Sequence, residues 1–213
     1  MINVACLLPA TGAVLTLAAV AAIVCSGSDC APRPWDLRAL DWFAEQRGPA
    51  LDALFATVTW LGSLWLLLPL ALALIAGLAV RGRTALAARF AVAFGGAVVL
   101  SYVTKRLVGR ERPAEIESLV AMPTDPSFPS GHAMQITAFS LTLVWLLVPP
   151  VQRRLWLMVA ATTILLVGLS RVYLLVHFPS DVLAGVAAAA LWCYAFALQD
   201  VEQDQTPEQQ RHA

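Results

Sequence analysis

Apolar residues in this chain fall into long runs that short polar breaks separate. A helix needs roughly 20 mostly apolar residues to cross the hydrocarbon core of a bilayer, and six runs reach about that length. They cover approximately residues 7–26, 58–80, 85–104, 132–150, 155–175 and 180–198. The pattern predicts an all-α fold built as a bundle of six transmembrane helices.

Two segments outside these runs differ in composition. Between spans 1 and 2, residues 30–54 mix Trp35, Trp42 and Phe43 with charged side chains, which is typical of a short amphipathic helix at the membrane interface. From 199 to 213 the chain is polar and rich in glutamine, so burial would not offset the entropy of ordering it. We therefore predict one membrane domain over residues 1–198 and a disordered tail over residues 199–213.

The composition agrees with a membrane protein, because 59% of the residues are hydrophobic and only 13% are charged. The first run has no basic residue before it and ends in a poor cleavage site, so we interpret it as a retained anchor and not as a signal peptide. The formal net charge is zero. No global field therefore favours binding of nucleic acid, and recognition of an anion has to be local.

Basic residues in short loops predict the orientation, since cytoplasmic loops carry an excess of them. Arg81, Arg83 and Arg89 follow span 2, and Arg153 and Arg154 follow span 4. These loops are expected in the cytoplasm together with both termini. The opposite side then receives the connection after span 1 and the three polar breaks between later spans that carry basic, hydroxyl and imidazole groups.

The cysteines leave two alternatives open. Cys25 and Cys30 flank a short polar stretch at the predicted outer end of span 1, where an oxidising compartment would allow a disulfide; two free thiols are the alternative. The sequence has neither a Cys-x-x-Cys pair nor a His-Glu-x-x-His helix. No zinc site is therefore predicted.

The first polar break follows span 3 and contains Lys105, the only lysine in the chain, and Arg112. A compact ammonium and a planar guanidinium fork together can neutralise and orient a phosphate group. The alternative is that both side chains reach from a helix end toward lipid head groups. Pro113 biases the preceding arginine toward an extended backbone, so we expect Arg112 in the loop after the helix.

The second break is Pro129-Ser130-Gly131-His132, directly before the fourth apolar run. Ser130 is a suitable N-cap, and Gly131 lets an anion approach the backbone closely. The free amides and the dipole of a helix N-terminus favour binding of an anion, and His132 would stand beside it in the first turn. The alternative for His132 is an interfacial histidine with a satisfied hydrogen bond.

The third break joins spans 5 and 6 and contains Arg171, His177 and Asp181. Pro179 suits the first turn of a new helix, which would bring the carboxylate of Asp181 within reach of one nitrogen of His177. The other nitrogen would then be free to act as a nucleophile, with Arg171 beside it. A purely structural hydrogen bond between His177 and Asp181 is the alternative.

Together the three breaks resemble the three signature motifs of the type 2 phosphatidic acid phosphatase (PAP2) superfamily. The matching patterns are Lys105-x6-Arg112-Pro113, Pro129-Ser130-Gly131-His132 and Ser170-Arg171-x5-His177-x3-Asp181. No motif position departs from the family pattern, and the six-span layout is similar to that of the membrane branch of the family.

The resemblance implies a role for each residue. His177 would be the nucleophile that forms a phosphohistidine, Asp181 would orient it, and His132 would act as general acid and then as general base. The remaining motif residues would bind the phosphate oxygens and stabilise the transition state: Lys105, Arg112, Ser130, Gly131 and Arg171. The chemistry needs no metal ion and no cofactor.

The resemblance also implies a lipid phosphate or diphosphate as substrate, such as undecaprenyl diphosphate, phosphatidic acid or phosphatidylglycerol phosphate. The expected location is the bacterial inner membrane, with membrane lipids around the bundle and the active site on the extracytoplasmic side. A lipid phosphotransferase that uses the same site is the nearer alternative. A non-catalytic transporter is the more distant one, because its ionisable groups would be expected near the middle of the membrane and not at one interface.

Overall fold

A computed structural model describes residues 4–25, 30–114 and 118–209, with side chains for 10–25, 30–114 and 118–194. All regular structure in these ranges is helical, so the all-α prediction is confirmed. The elements are α1 (Val4–Val24), α2 (Pro34–Glu45), α3 (Pro49–Val58), a 3₁₀ turn (Thr59–Gly62), α4 (Leu64–Val80), α5 (Thr84–Val108), α6 (Gly131–Leu147), α7 (Pro150–Tyr173) and α8 (Pro179–Gln209).

By length and composition, three helical segments among the described residues are suited to cross a membrane: Pro49–Val80, Thr84–Val108 and Pro150–Tyr173. They contain the predicted spans 58–80 and 85–104 and most of 155–175. Two shorter helices, Ala10–Val24 and Gly131–Leu147, are also apolar.

The segment before α4 differs from the prediction, because it forms two helices and not one. Pro49 has no backbone N–H and a fixed φ, so it ends one helix and fits the first position of the next. Gly48 is the N-cap of α3. The 3₁₀ turn then separates α3 from α4, and Ser63 caps α4 by accepting a hydrogen bond from the amide of Trp65 at 3.3 Å.

The C-terminal segment also differs from the predicted disordered tail, since α8 continues as far as Gln209. Adding residues to an existing helix avoids the cost of nucleation, and glutamine and glutamate, which are frequent in residues 199–209, are good helix formers. Residues 210–213, the end of the predicted tail, lie outside the described part of the chain.

Helix α6 is the centre of the bundle, where it packs against α4, α5, α7 and α8, and α1 packs against α8. Glycines allow the closest approaches. A Cβ atom at Gly96 would lie 2.4 Å from Cζ2 of Trp192, and one at Gly185 would lie 2.9 Å from the carbonyl oxygen of Ser130. The second contact holds α8 against the start of α6, next to the residues discussed below.

The polar breaks meet at one end of the bundle because consecutive helices run in opposite directions. α5 and α7 end where α6 and α8 begin, and the amide of Ser130 donates a hydrogen bond to the carbonyl of Asp181 at 3.0 Å. Arg81, Arg83 and Arg153 lie at the opposite end of these helices. The disulfide between Cys25 and Cys30 resolves the alternative left open by the sequence.

Candidate active site

A cavity of about 360 Å³ opens at the end of the bundle where the three breaks meet. Six of the eight predicted site residues line it: Lys105, Arg112, Gly131, His132, Arg171 and His177. The other two, Ser130 and Asp181, are fully buried next to it. The structure therefore brings together residues from three separate segments of the chain.

His177 lies in the turn between α7 and α8 and is almost fully buried. Leu175, two residues earlier, has a φ of 56°, a left-handed conformation that costs a non-glycine residue on the order of 1–3 kcal/mol. The buried side chain of Leu175 packs in a cluster with Leu40 and Phe178, which holds the turn in this conformation.

The two ring nitrogens of His177 have different partners. Nε2 lies 3.1 Å from a guanidinium nitrogen of Arg112, which can only donate, so Nε2 accepts. The proton is therefore assigned to Nδ1, which lies 3.4 Å from Oδ2 of Asp181. Ser127 lies 3.4 Å from the same nitrogen and also donates to Oδ2 of Asp181. The tautomer leaves a lone pair on Nε2, on the cavity side.

The environment of His177 favours its neutral form. Burial, followed by the positive charges of Arg112 and Lys105, lowers the pKa of the imidazole well below its ordinary value. A neutral imidazole is the nucleophilic form, so His177 is available for attack at neutral pH.

Backbone carbonyls and one carboxylate hold the two cations of the first motif. Lys105 donates to the carbonyl of Pro126 and pairs with Asp125 at 3.0 Å. Arg112 donates to the carbonyls of Asp125 and Val176 at 2.8 and 2.6 Å, and to the carboxylate of Asp125 at 2.9 Å. Burial opposes ionisation of Asp125, but the neighbouring cations outweigh it and lower the pKa of its carboxyl group. As predicted, Arg112 lies in the loop after the helix.

The second motif begins α6, as predicted, with Ser130 at the N-cap position. Its side chain makes no capping hydrogen bond, and its buried hydroxyl has no partner in the described part of the chain. The amides of the first turn have no partner within the helix. His132 is packed against Gly62, where a Cβ atom would lie 3.0 Å from the carbonyl oxygen of His132. The glycine thus lets the 3₁₀ turn approach the start of α6.

Arg171 reaches the cavity from the end of α7. It donates to the hydroxyl of Thr59 at 2.6 Å, so the 3₁₀ turn orients this guanidinium. Its buried Nε has no partner among the described residues. No local sequence pattern indicates this contact, because Thr59 and Arg171 are 112 positions apart.

A buried charge network behind Asp181 was not predicted. Arg110 is fully buried and pairs with Asp181 at 2.5 Å and with Asp36 of α2 at 3.0 Å. Asp36 also accepts hydrogen bonds from the amide and hydroxyl of Ser180, at 3.0 and 2.8 Å. The ring of Phe178 lies 4.2 Å from the guanidinium carbon of Arg110. The network links α2, the loop after α5 and the start of α8.

Among the described residues, no group of three or more His, Cys, Asp or Glu side chains is arranged to hold a metal ion. The groups at the cavity are mainly nitrogen donors for hydrogen bonds to an anion, supplied by lysine and arginine side chains. Such a donor set suits a phosphate group.

Comparisons with known proteins agree with this geometry. The "PAP2 superfamily" model matches residues 86–204. Phosphatidylglycerophosphatase B of Bacillus subtilis is 33% identical over 150 residues, which are 68% of this chain and 73% of that protein. An undecaprenyl-diphosphatase of Sulfolobus acidocaldarius is 38% identical over 98 residues, 44% of this chain and 45% of its own length.

A solved structure is similar over most of the chain. The crystal structure of a transmembrane PAP2 type phosphatidylglycerolphosphate phosphatase from Bacillus subtilis has 28% identity and a TM-score of 0.77, and covers 91% of this chain and 96% of that one. Because the family model covers more than half of the sequence and this likeness extends across the fold, the protein is an integral membrane member of the PAP2 superfamily.

Proposed function

We propose that the protein removes a phosphoryl group from a lipid phosphate or diphosphate through a phosphohistidine on His177, without a metal ion. The observation that carries this proposal is the position of His177, which lines a cavity together with Lys105, Arg112 and Arg171 and whose Nε2 lies 3.1 Å from Arg112. The names of the relatives support a lipid phosphate as the substrate class.

On binding, a phosphate oxygen of the substrate replaces Nε2 of His177 as the partner of Arg112. In the first step, Nε2 attacks phosphorus while the bond from phosphorus to the lipid oxygen breaks. His132, protonated once the anionic phosphate lies beside it, gives its proton to the leaving oxygen, and Asp181 accepts the hydrogen bond from Nδ1 of the phosphohistidine. In the second step, neutral His132 takes a proton from water, and the resulting hydroxide attacks phosphorus while the bond from phosphorus to Nε2 breaks. Inorganic phosphate leaves, and His177 is neutral again.

Charge neutralisation is the second part of the mechanism. Lys105, Arg112 and Arg171 place three positive charges around one cavity. The partnerless hydroxyl of Ser130 and the amides at the start of α6, beginning with Gly131, add donors without charge. Positioning and electrostatic stabilisation supply most of the catalysis in phosphoryl transfer, so these groups can take the place that a metal ion has in other enzymes.

The flank of the cavity supports an amphiphilic substrate. Leu64 and Trp65 of α4 and Val98 and Tyr102 of α5 line it beside the polar residues. Trp65 and Tyr102 are strongly exposed, which is typical of aromatic side chains at a membrane interface. A lipid tail could remain in the bilayer beside these helices while its phosphate enters the cavity. Phosphatidylglycerol phosphate, phosphatidic acid and undecaprenyl diphosphate fit this description.

We further propose six spans, an interfacial position for α2, and an active site on the extracytoplasmic face of a bacterial inner membrane. The arginine-rich loops lie at the end of the bundle opposite the cavity, which fits the excess of basic residues in cytoplasmic loops. The disulfide between Cys25 and Cys30 is at the cavity end, where Sγ of Cys30 is 3.7 Å from the carbonyl of Val108. A disulfide there fits an oxidising compartment.

The experiment that tests the function is phosphate release by the purified protein in detergent with EDTA present. Phosphatidic acid, phosphatidylglycerol phosphate and undecaprenyl diphosphate are compared as substrates. Release that persists in the chelator supports a metal-independent phosphatase and ranks the substrates. If label from the substrate appears in a lipid acceptor with little free phosphate, the protein is a phosphotransferase. If neither occurs with any of the three substrates, the proposal fails.

The two roles of His132 predict burst kinetics in His132→Ala when the substrate is an activated phosphate ester. p-Nitrophenyl phosphate has a good leaving group that needs little protonation, so its first step should survive in His132→Ala. The second step still needs a base to activate water, and we expect hydrolysis to slow by roughly 10²–10⁴-fold. Rapid-mixing kinetics should therefore show one p-nitrophenolate per active site, followed by slow turnover. Equal slowing of both phases would contradict the two roles of His132.

A further inference from the structure

The carboxylate of Asp125 holds the two motif cations in the way that a phosphate group would. Oδ2 lies 3.0 Å from Nζ of Lys105, and Oδ1 lies 2.9 Å from a terminal nitrogen of Arg112. Each carboxylate oxygen of Asp125 thus forms an ion pair with one cation. Asp125 itself lines the cavity. Two oxygens of a tetrahedral phosphate make the same kind of charge-assisted contact with lysine and arginine.

The two cations do not depend on this carboxylate for their positions. Backbone oxygens bind them independently: the carbonyl of Pro126 accepts from Lys105, and the carbonyls of Asp125 and Val176 accept from Arg112. If the side chain of Asp125 turned away, these bonds would remain. The donors would then still point toward the cavity.

Exposure shows which member of the cluster is able to move. The side chains of Lys105 and Arg112 are each 8% exposed, whereas that of Asp125 is 48% exposed. A carboxylate at the surface can return to water at little cost, because it regains its hydration. A buried ammonium or guanidinium group cannot return to water in this way.

We infer that Asp125 is an internal anion that competes with the substrate phosphate for Lys105 and Arg112 and is displaced when the substrate enters. This inference rests on the proposed function, and it adds a specificity-determining residue to it. A ligand must compete with the carboxylate for both cations. The terminal group of a phosphomonoester or diphosphate carries up to two negative charges and three free oxygens, so it competes well.

A phosphodiester competes poorly, because it carries one negative charge and two free oxygens. The head groups of bulk phospholipids are phosphodiesters, and they surround the cavity at a much higher concentration than any lipid phosphate. Asp125 would therefore keep the site from being filled by the lipids of the bilayer itself. It would also favour release of inorganic phosphate at the end of each cycle.

The first test measures binding of inorganic phosphate to the purified full-length protein in neutral detergent. The Kd is obtained from the rise of the thermal unfolding midpoint with phosphate concentration, which needs no turnover. Asp125→Asn keeps the shape of the side chain and removes its charge, and we expect its Kd for phosphate to be about tenfold lower than that of the wild type. Glu111→Gln makes the same charge change at an exposed position of the same loop, and its Kd should stay at the wild-type value.

A scaffolding role for Asp125 predicts the opposite result, since loss of the carboxylate would disorder the cations and raise the Kd. An unchanged or raised Kd in Asp125→Asn therefore overturns the inference. An equal fall in Glu111→Gln also overturns it, because the effect would then be a general one of loop charge.

The second test measures inhibition by phosphatidylglycerol, a phosphodiester lipid, during hydrolysis of phosphatidic acid in mixed micelles. We expect Asp125→Asn to be inhibited at mole fractions of phosphatidylglycerol that leave the wild type and Glu111→Gln unaffected. Identical inhibition curves would refute the selection against phosphodiesters. Absence of wild-type hydrolysis of phosphatidic acid, phosphatidylglycerol phosphate and undecaprenyl diphosphate would instead reject the proposed function, and the phosphate Kd values would still test the displaced anion.

Discussion

Replacement of His177 by alanine is expected to lower phosphate release from lipid phosphates on the order of 10⁴-fold or more, because no other group occupies the position of Nε2. The loss should appear in the chemical step and not in substrate binding. Phosphate should still bind, since the backbone oxygens that hold Lys105 and Arg112 remain. The measurement is release of labelled phosphate in single-turnover experiments, together with the Kd for phosphate.

A covalent label separates a nucleophile from a residue that only shapes the site. After brief reaction with p-nitrophenyl phosphate carrying radioactive phosphate, His132→Ala should retain label on the protein, because its first step needs little protonation of the leaving group and its second step is slow. His177→Ala should retain none. The label should be stable in alkali and labile in acid, as expected for a phosphohistidine. Label on the His177→Ala protein would refute the assignment.

Removal of Arg110 is expected to have the largest effect on stability. Arg110→Met leaves the carboxylates of Asp36 and Asp181 fully buried without their cation. Breaking a buried ion pair by removing one partner costs about 3–5 kcal/mol, so the free energy of unfolding should fall by that amount. Unfolding in detergent, followed by circular dichroism, gives the measurement. Activity should fall as well, because the Asp181 that orients His177 loses its strongest partner.

Two further variants show whether charge balance is the cause. Asp36→Asn combined with Arg110→Met removes one anion together with the cation, so the double variant should be more stable than Arg110→Met alone. Arg106→Met is the matched control, because Arg106 is exposed and stacks on Tyr102 at 5.2 Å. Its loss should cost about 0.5–1 kcal/mol. A cost for Arg110→Met similar to that of the control would contradict the network.

The helices were predictable where the pattern that defines them is local. Runs of apolar residues located α5, α6 and α7 within a few positions, since a transmembrane helix is defined by its own length and composition. The positions at which helices begin and end were harder to predict. The break at Gly48-Pro49 divided the predicted interfacial helix in two, and the C-terminal helix continued to Gln209 through a polar segment.

At the site, local patterns identified the groups but not their partners. The site residues were predicted from the polar breaks between apolar runs and from the resemblance of these breaks to the PAP2 motifs, and the structure brings all eight to one end of the bundle. Arg110 lies in the loop that carries the first motif and Asp36 in the predicted amphipathic segment, but neither is one of the predicted site residues. The structure joins them across 74 positions of sequence, and nothing in either segment indicates the other.

The sequence by itself determined that this is a helical membrane protein and which side chains are the candidates for the chemistry, because hydropathy and short motifs are properties of contiguous residues. Only the tertiary structure decided which charges are paired. Arg110 is neutralised by Asp36 and Asp181, and Asp125 lies between Lys105 and Arg112, because helix packing places distant segments within 3 Å of each other. Ion pairing depends on distance and burial in the folded state, and neither can be predicted from neighbouring residues in the sequence.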